Sequence, residues 1–592
     1  MNRTITTTGT ISYTMTTFKT LLLSLFLLTA GVSPSSAATG GHVMTPAEQA
    51  AMPDYIRSIS QYVSAGFTTP PSSAVRASAE WEQVDALVVV WTTYTNIVRQ
   101  IINYAQSETK VIVICSDSNA VITNLVANTV PITNVDFIQT GFNSIWCRDY
   151  GQWNVYTDDV DSLLLVDWIY NRPRAKDDTL PRSIATFTGL PLYETSTAPY
   201  DLIHTGGNFM CDGLGTGFSS RLVLDENPSK TEPQVDSIML QFMGIDRYIK
   251  MNTLPYDQIH HIDMHMKLLD EETILVGEYP PGVADGPRID SNIAYIRNNF
   301  LSPFGTPYKF VRIPMPPDAN GLYPDSGGDY RTYTNAVFVN KTIIVPTYAA
   351  QYDSTALRIW RESMPGYRVV GINCNQIITS LGAIHCITKE VSAKDQLWIV
   401  HQPLRDQAST IVPYTVNAEI RHKSGIASAM LYWRTDTLLP YSGVAMSSTG
   451  NNNWTADIPA QANGTTVYYY IHAESVSGKQ QNRPITAPGG YWKFRIDVSL
   501  GTDETLSALS ELNVFPNPSN GYAIVEIAMN RTGDVDVRLN DITGRTLSDL
   551  YSGTLSGERK RIRFDTTGMP PGIYMVEVRI GGYSGFRKLI VQ

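Results

Sequence analysis

Cysteine is scarce in this chain: Cys115, Cys147, Cys211, Cys374 and Cys386 are the five in 592 residues. The number is odd and no CxxC pair occurs, which excludes a disulfide scaffold and leaves at least one thiol without a partner in its own chain. A cationic surplus is missing too. Lys and Arg total 45 against 55 Asp and Glu, a net charge of −10. That balance argues against a nucleic-acid surface and mildly favours a cationic ligand, although a solvated acidic surface is its commoner meaning. Long apolar runs are also lacking. Beyond the N-terminus no stretch approaches the roughly 18 residues that would cross a bilayer, so the mature chain is expected to be soluble. No EF-hand loop is present. With 43% hydrophobic and 17% charged residues, disorder is not expected, and the length suits about two to four domains with real cores.

The N-terminus itself carries a signal. Lys19 precedes an apolar run from Leu21 to Ala30, followed by small residues around Ser35 and Ala37. This pattern predicts a secretory signal peptide over 1–37, with Met15 an alternative start. Residues 38–75 are rich in Ala, Ser, Thr, Gly and Pro and read as a pro-segment or linker with one helix, TPAEQAAMPDYIRSISQYV. From AEWEQVDALVVVW the texture changes. A buried strand over 86–91, a helix in TNIVRQIINYAQ and a second strand in KVIVIC make a strand–helix–strand unit. Similar alternation runs to about residue 402, predicting one α/β domain over 76–402 built from repeated units.

Beyond 405 the helical periodicity stops. YTVNAEIRH, SAMLYWRTD, NWTADIPA, TVYYYIHAES and YWKFRIDV are strands separated by Gly, Asn and Ser turns, which predicts an immunoglobulin-like β-sandwich over 403–498. A linker over 499–511 precedes a last module at 512–592. There, Pro516, Asn517 and Pro518, then DITGR, PPGIYMVEV and the terminal RKLIV follow in order. The module resembles the C-terminal sorting domain of the type IX secretion system of Gram-negative bacteria. The resemblance implies that the secretion machinery is a partner and that the product is secreted or held at the outer cell surface, where attachment can follow loss of the sorting domain.

Three segments carry residues suited to chemistry. In HHIDMHMKLL, apolar Ile262, Met264, Met266 and Leu268 alternate with His261, Asp263 and His265, predicting a strand with His261 and Asp263 on one polar face, roughly 6.5 to 7 Å apart. The same alternation speaks against a helical zinc pair of His261 and His265. SIWCRDYGQW offers Trp146 and Asp149, the latter equally readable as a helix cap. Two carboxylates can grip the fork of N–H donors of a guanidinium and neutralise it. Cys386, in GAIHC, can attack an electrophilic carbon as the thiolate with a histidine to carry the proton. Arg172 and Arg174 flank Pro173 in an extended NRPR, readable as solvated surface or as a clamp for one carboxylate.

These residues occur within AEWEQVDALVVVW, WCRDYG, NRPR, HTGGNFMCDG, HHID, YRTYTN and GAIHC, whose order resembles the guanidine-modifying superfamily of agmatine deiminases and secreted bacterial peptidylarginine deiminases. The resemblance implies a five-bladed, pseudo-symmetric α/β propeller that converts arginine of peptides or proteins to citrulline and ammonia, with no cofactor and no metal. It implies that Cys386 is the nucleophile and His261 the proton shuttle. Asp149 and Asp263 would hold the guanidinium, Asn335 would lie near the nucleophile, and Trp146 would pack on the substrate stem. Arg172 and Arg174 would take the α-carboxylate of a C-terminal arginine. Gly206, Gly207 and Asn208 match a family motif but receive no role, because His204 stands where agmatine deiminases usually carry an acid. The rival readings are an agmatine or free-arginine deiminase, a Cys-His protease, and a non-catalytic surface-binding protein.

Overall fold

Five strand groups, each arranged the same way, make the first part of the chain. The computed structural model describes residues 41–59, 66–497, 509–529, 532–542, 544–556, 559–580 and 583–592. The expected signal peptide and most of the linker at 499–511 lie outside the described residues. The chain divides into two units, Met1–Lys394 and Asp395–Gln592.

In the first unit every group has a central strand with an antiparallel neighbour on one side and a parallel one on the other. Leu163–Tyr170 lies between Trp153–Thr157 and Leu192–Thr195. Thr216–Ser220 lies between Met210–Cys211 and Arg247–Met251. Thr273–Glu278 lies between Met266–Leu268 and Lys309–Pro314, and Thr342–Thr347 between Val337–Val339 and Arg368–Asn373. The fifth group joins the ends of the domain. Its central strand, Val84–Val90, runs parallel to Lys110–Cys115 and antiparallel to Thr388–Ser392.

Each parallel step is crossed by helix, as parallel strands require. Thr95–Ala105 buries Ile97, Val98, Ile101, Ile102 and Ala105 along one stripe, the spacing of a core-facing helix. Glu232–Met243 starts where the Gln234 side chain accepts the Thr231 N–H at 2.8 Å and stops at Gly244, whose φ of +67° suits glycine. Val84–Val90 is buried except at Asp85, because a strand covered on both faces has no solvent side to alternate toward.

The strand expected through His261 is not formed. Ile262–Met264 is a single 3-10 turn, and only Met266–Leu268 is strand. The turn closes through Met264 N–H to His261 O and His265 N–H to Ile262 O, following His260 at a φ of +57°. The alternation misled because residues 261–269 are all buried: the polar side chains face an internal site, where a period of two carries no information about water.

The second unit is all β. Tyr414–Arg421 alternates between buried and more exposed positions and pairs with Asn453–Ile458 on one side and Trp398–Val400 on the other. The last of these strands, within the segment read from sequence as the end of the α/β domain, thus belongs to the second unit. A facing sheet holds Ile426–Arg434 and Thr466–Ser475, and Val416, Ile420, Leu431, Tyr469 and Ile471 are buried in the core of these strands. From 509 onward two further sheets, centred on Tyr522–Met529 and Thr532–Asp541, share a separate core that includes Val525, Val537 and Val576. No helix among the described residues is long and apolar enough to cross a membrane.

Candidate active site

The functional side chains sit at equivalent places in the five groups, in the turn just before each antiparallel strand. Trp146 and Asp149 belong to the turn Cys147–Tyr150 and its N-cap, ahead of Trp153–Thr157. Gly206–Asn208 precedes Met210–Cys211. His261 and Asp263 lie in and before the turn Ile262–Met264, Asn335 stands just ahead of Val337–Val339, and Cys386 occupies the turn His385–Ile387. Segments that run from Trp146 to Cys386 along the sequence are thereby brought to one place, and all of these side chains are buried.

At the nucleophile end, Asn335 Nδ2 donates to Cys386 Sγ at 3.1 Å, while Asn335 Oδ1 accepts the His385 N–H at 3.0 Å. One amide therefore fixes both the thiol and the backbone that carries it. Sγ lies 3.5 Å from Asp263 Oδ2. Burial, then the charges of Asp263 and Asp149, push the thiol well above its ordinary range, which favours the protonated form.

Asp263 is held from behind. His385 Nδ1 donates to Asp263 Oδ2 at 2.7 Å and His385 Nε2 to Glu80 Oε1 at 2.9 Å, and Lys267 bonds the other Glu80 oxygen. Both ring nitrogens of His385 thus face carboxylates, and the ring bridges Asp263 to Glu80. Burial alone would raise Asp263; the His385 hydrogen bond and charge, with His261, hold it below the usual carboxylate range. Beneath this, Arg148 pairs with Glu390 through two contacts of 3.1 and 2.7 Å and donates to His385 O at 3.3 Å.

His261 Nε2 meets Thr205 Oγ1 at 3.3 Å and its Nδ1 stands 3.6 Å from Asp149 Oδ1. Burial lowers it to about 4, against the pull of Asp149, so it is neutral near pH 7. Gly207 explains how these two groups come so close: a Cβ there would lie 2.4 Å from His261 Nδ1 and 3.0 Å from Asp149 Oδ1. The glycine motif, which had no role in the sequence reading, is the space the site needs. His204 stacks on Trp168 at 4.2 Å and bonds Tyr248 Oη at 2.9 Å; burial lowers it to about 3.

The other end of the site contains a residue that sequence reasoning missed. His42, from the segment read as a pro-segment or linker, is buried with its ring stacked on Trp146 at 4.1 Å and an interplanar angle of 7°. Its Nε2 donates to Asp149 Oδ2 at 2.7 Å, and its Nδ1 reaches Leu381 O at 2.7 Å. Asp149, which burial alone would raise, is held far below its ordinary range by His42, His261 and Arg172. Arg172 Nε and Nη2 both donate to His42 O at 3.3 Å; Arg174 Nη2 donates to Gly41 O at 2.6 Å and its Nε to Glu48 Oε1 at 2.8 Å. The two arginines do converge, here on neighbouring main-chain carbonyls and one carboxylate.

His42, Asp149 and His261 place three ligand-type atoms within 4.8 Å of one another, the one such group among the described residues. A metal ion shared by all three would have to break the direct His42–Asp149 hydrogen bond. The described His261 and His265 do not share a helix. All five cysteines are free thiols.

A buried thiol beside two carboxylates and a neutral histidine is the equipment of a cysteine-dependent hydrolase of guanidinium groups. The chain belongs to the Porphyromonas-type peptidyl-arginine deiminase family, which matches residues 75–391, and it carries a secretion system C-terminal sorting domain over residues 513–592. It is therefore a guanidine deiminase destined for secretion or the cell surface. An inferred agmatine deiminase of Mycoplasma mycoides is 23% identical over 366 residues, 55% of this chain and 97% of its own length. Among solved structures, an inferred agmatine deiminase is 19% identical and superposes with a TM-score of 0.50, covering 56% of this chain and all of that one. An inferred arginine deiminase from Porphyromonas gingivalis is 20% identical with a TM-score of 0.48, covering 53% of this chain and 98% of that one. At 19% identity the first of these two structures shows a likeness of fold alone.

Proposed function

We propose that the enzyme hydrolyses the guanidinium of arginine at the free C-terminus of peptides, giving citrulline and ammonia. The observation that carries this reading is the clamp: Arg172 and Arg174 are buried beside Trp146 and grip main-chain and carboxylate oxygens of a peptide segment. Agmatine offers no such oxygens. Asp149 and Asp263 would hold the guanidinium, Trp146 its methylene stem, and the arginine pair the α-carboxylate. The five strand groups are read as the blades of a propeller, the strands of 403–498 as an immunoglobulin-like domain, and the segment before 75 as a processed leader.

The chemistry follows from charge. Binding a guanidinium cation offsets Asp149 and Asp263, the two charges that keep the Cys386 thiol protonated, so the thiol ionises as substrate arrives and its proton passes to His261. The thiolate attacks Cζ, forming a C–S bond and a tetrahedral adduct between the carboxylates. His261 returns the proton as the C–N bond breaks and ammonia leaves, giving a covalent thiouronium. Water, deprotonated by His261, adds to the same carbon; the C–S bond breaks and citrulline departs.

The test is citrulline and ammonia release from a peptide ending in arginine, the same peptide amidated, a peptide with internal arginine, and agmatine, with wild type and Cys386→Ala. Preference for the free C-terminal arginine, abolished in the variant, supports the reading. Turnover of agmatine equal to or faster than that of the peptide overturns it in favour of the agmatine enzyme.

A further inference from the structure

Gly41, His42 and Glu48 occupy the groups read as holding the substrate, namely Trp146, Asp149 and the arginine pair. Both nitrogens of the planar His42 ring face oxygen acceptors, as the edge of a guanidinium would, and the ring lies flat on Trp146. The clamp arginines hold the carbonyls of Gly41 and His42. The pocket wall is fitted to the ring: a Cβ on Gly382 would lie 3.2 Å from His42 Nδ1 and 2.5 Å from Trp146.

The rest of the segment anchors this contact. Glu48 accepts the Thr45 N–H with one oxygen at 2.8 Å and Arg174 Nε with the other at 2.8 Å, so the first turn of Pro46–Ile59 is tied to the clamp. At its far end Tyr55 and Ile59 bury against Ile169. The chain meets the α/β unit again at Phe67, whose N–H and carbonyl bond Leu192 and Glu194 at 2.8 Å.

We propose that residues 41–59 are an intramolecular ligand of the arginine site, with His42 in the place of the guanidinium, and that the enzyme is latent until this segment leaves. The inference rests on the proposed function for the identity of the displaced substrate. A planar ring between Trp146 and Asp149 excludes an arginine side chain from the same space, and the clamp cannot serve a substrate carboxylate while it serves Gly41, His42 and Glu48.

Full-length wild type, His42→Ala and the double variant Tyr55→Ala/Ile59→Ala are compared in two assays. The first is kcat/KM for citrulline formation from a peptide ending in arginine. The second is the rate of iodoacetamide alkylation at Cys386, located by mass spectrometry, which reads access to the thiol without requiring turnover. The expected result is a rise of tenfold or more in both for each variant. The double variant lies outside the pocket, so it serves if His42→Ala fails to fold. Equal alkylation and equal turnover in all three proteins overturn the inference and leave the proposed function standing. Faster alkylation without citrulline from the peptide in any of the three proteins keeps the intramolecular ligand and removes the C-terminal-arginine reading instead.

Discussion

The two ends of the site are built differently. The nucleophile end is cross-braced within the α/β unit: Asn335 fixes Cys386, His385 ties Asp263 to Glu80, and Lys267 and Arg148 lie behind them. The entrance end is completed by a segment more than a hundred residues away in sequence from the groups it touches. A site that must hold reacting atoms to a fraction of an ångström is supported by short turns locked into strand ends, whereas the part that selects what enters can be filled and emptied.

That contrast predicts a graded series. Cys386→Ala removes the nucleophile and should lower kcat by at least about a thousandfold with no loss of folding, read by citrulline release and circular dichroism. Asp263→Asn removes one of the two carboxylates read as holding the guanidinium and an acceptor of His385; a fall in kcat/KM of roughly a hundredfold is expected. Arg172→Ala should act at the other end: in the His42→Ala background, it should raise KM for a peptide ending in arginine by about ten- to a hundredfold and change agmatine kinetics far less. If Arg172→Ala lowers kcat instead, the two ends are not separable and the comparison fails.

Two smaller effects concern stability. Arg148→Met leaves Glu390 buried without its bidentate partner and should cost about 3 to 5 kcal/mol in denaturant unfolding. For pH, burial lowers His261 and His265 to about 4 and His204 to about 3, below the value near 6.5 expected in the unfolded chain. Between those values the unfolded chain binds protons that the native one refuses, so stability present above about pH 6.5 drains away as pH falls toward 4. The depressed carboxylates Asp149 and Asp263 add a separate loss only below about pH 4. The melting temperature should therefore fall between pH 7 and 4. His265→Leu should flatten that slope, since neither His265 ring nitrogen has a hydrogen-bond partner among the described residues.

Much of the nucleophile end was legible in the chain itself. Cys386, Asp149, Asp263 and His261 stood out through residue types that suit guanidinium chemistry, Asn335 only through the family resemblance, and the structure brings them together. The strand–helix–strand units were legible because helical stripes such as Ile97, Val98, Ile101 and Ile102 leave a clear period. The geometry at His261 was not, since an alternating pattern inside a wholly buried stretch reports two kinds of interior. Nor were Glu80 and His42: each acts through contacts with residues far away in sequence, and a single histidine in a Gly- and Ala-rich stretch has no periodic context. Gly207 was visible as a motif without a reason until the distance from its absent Cβ to His261 supplied one.

The pairing of Thr388–Ser392 with Val84–Val90 has a consequence for how the protein comes into being. The strand that opens the α/β unit waits about 300 residues for its antiparallel neighbour, and the nucleophile lies two residues before that neighbour begins. Until the end of the domain arrives, one edge of the first sheet is an unsatisfied row of N–H and C=O groups, a surface that invites pairing with other chains. Competence and edge protection are thus acquired in the same late step. Chains cut short of residue 388 should be found as aggregates, not as soluble, inactive domains.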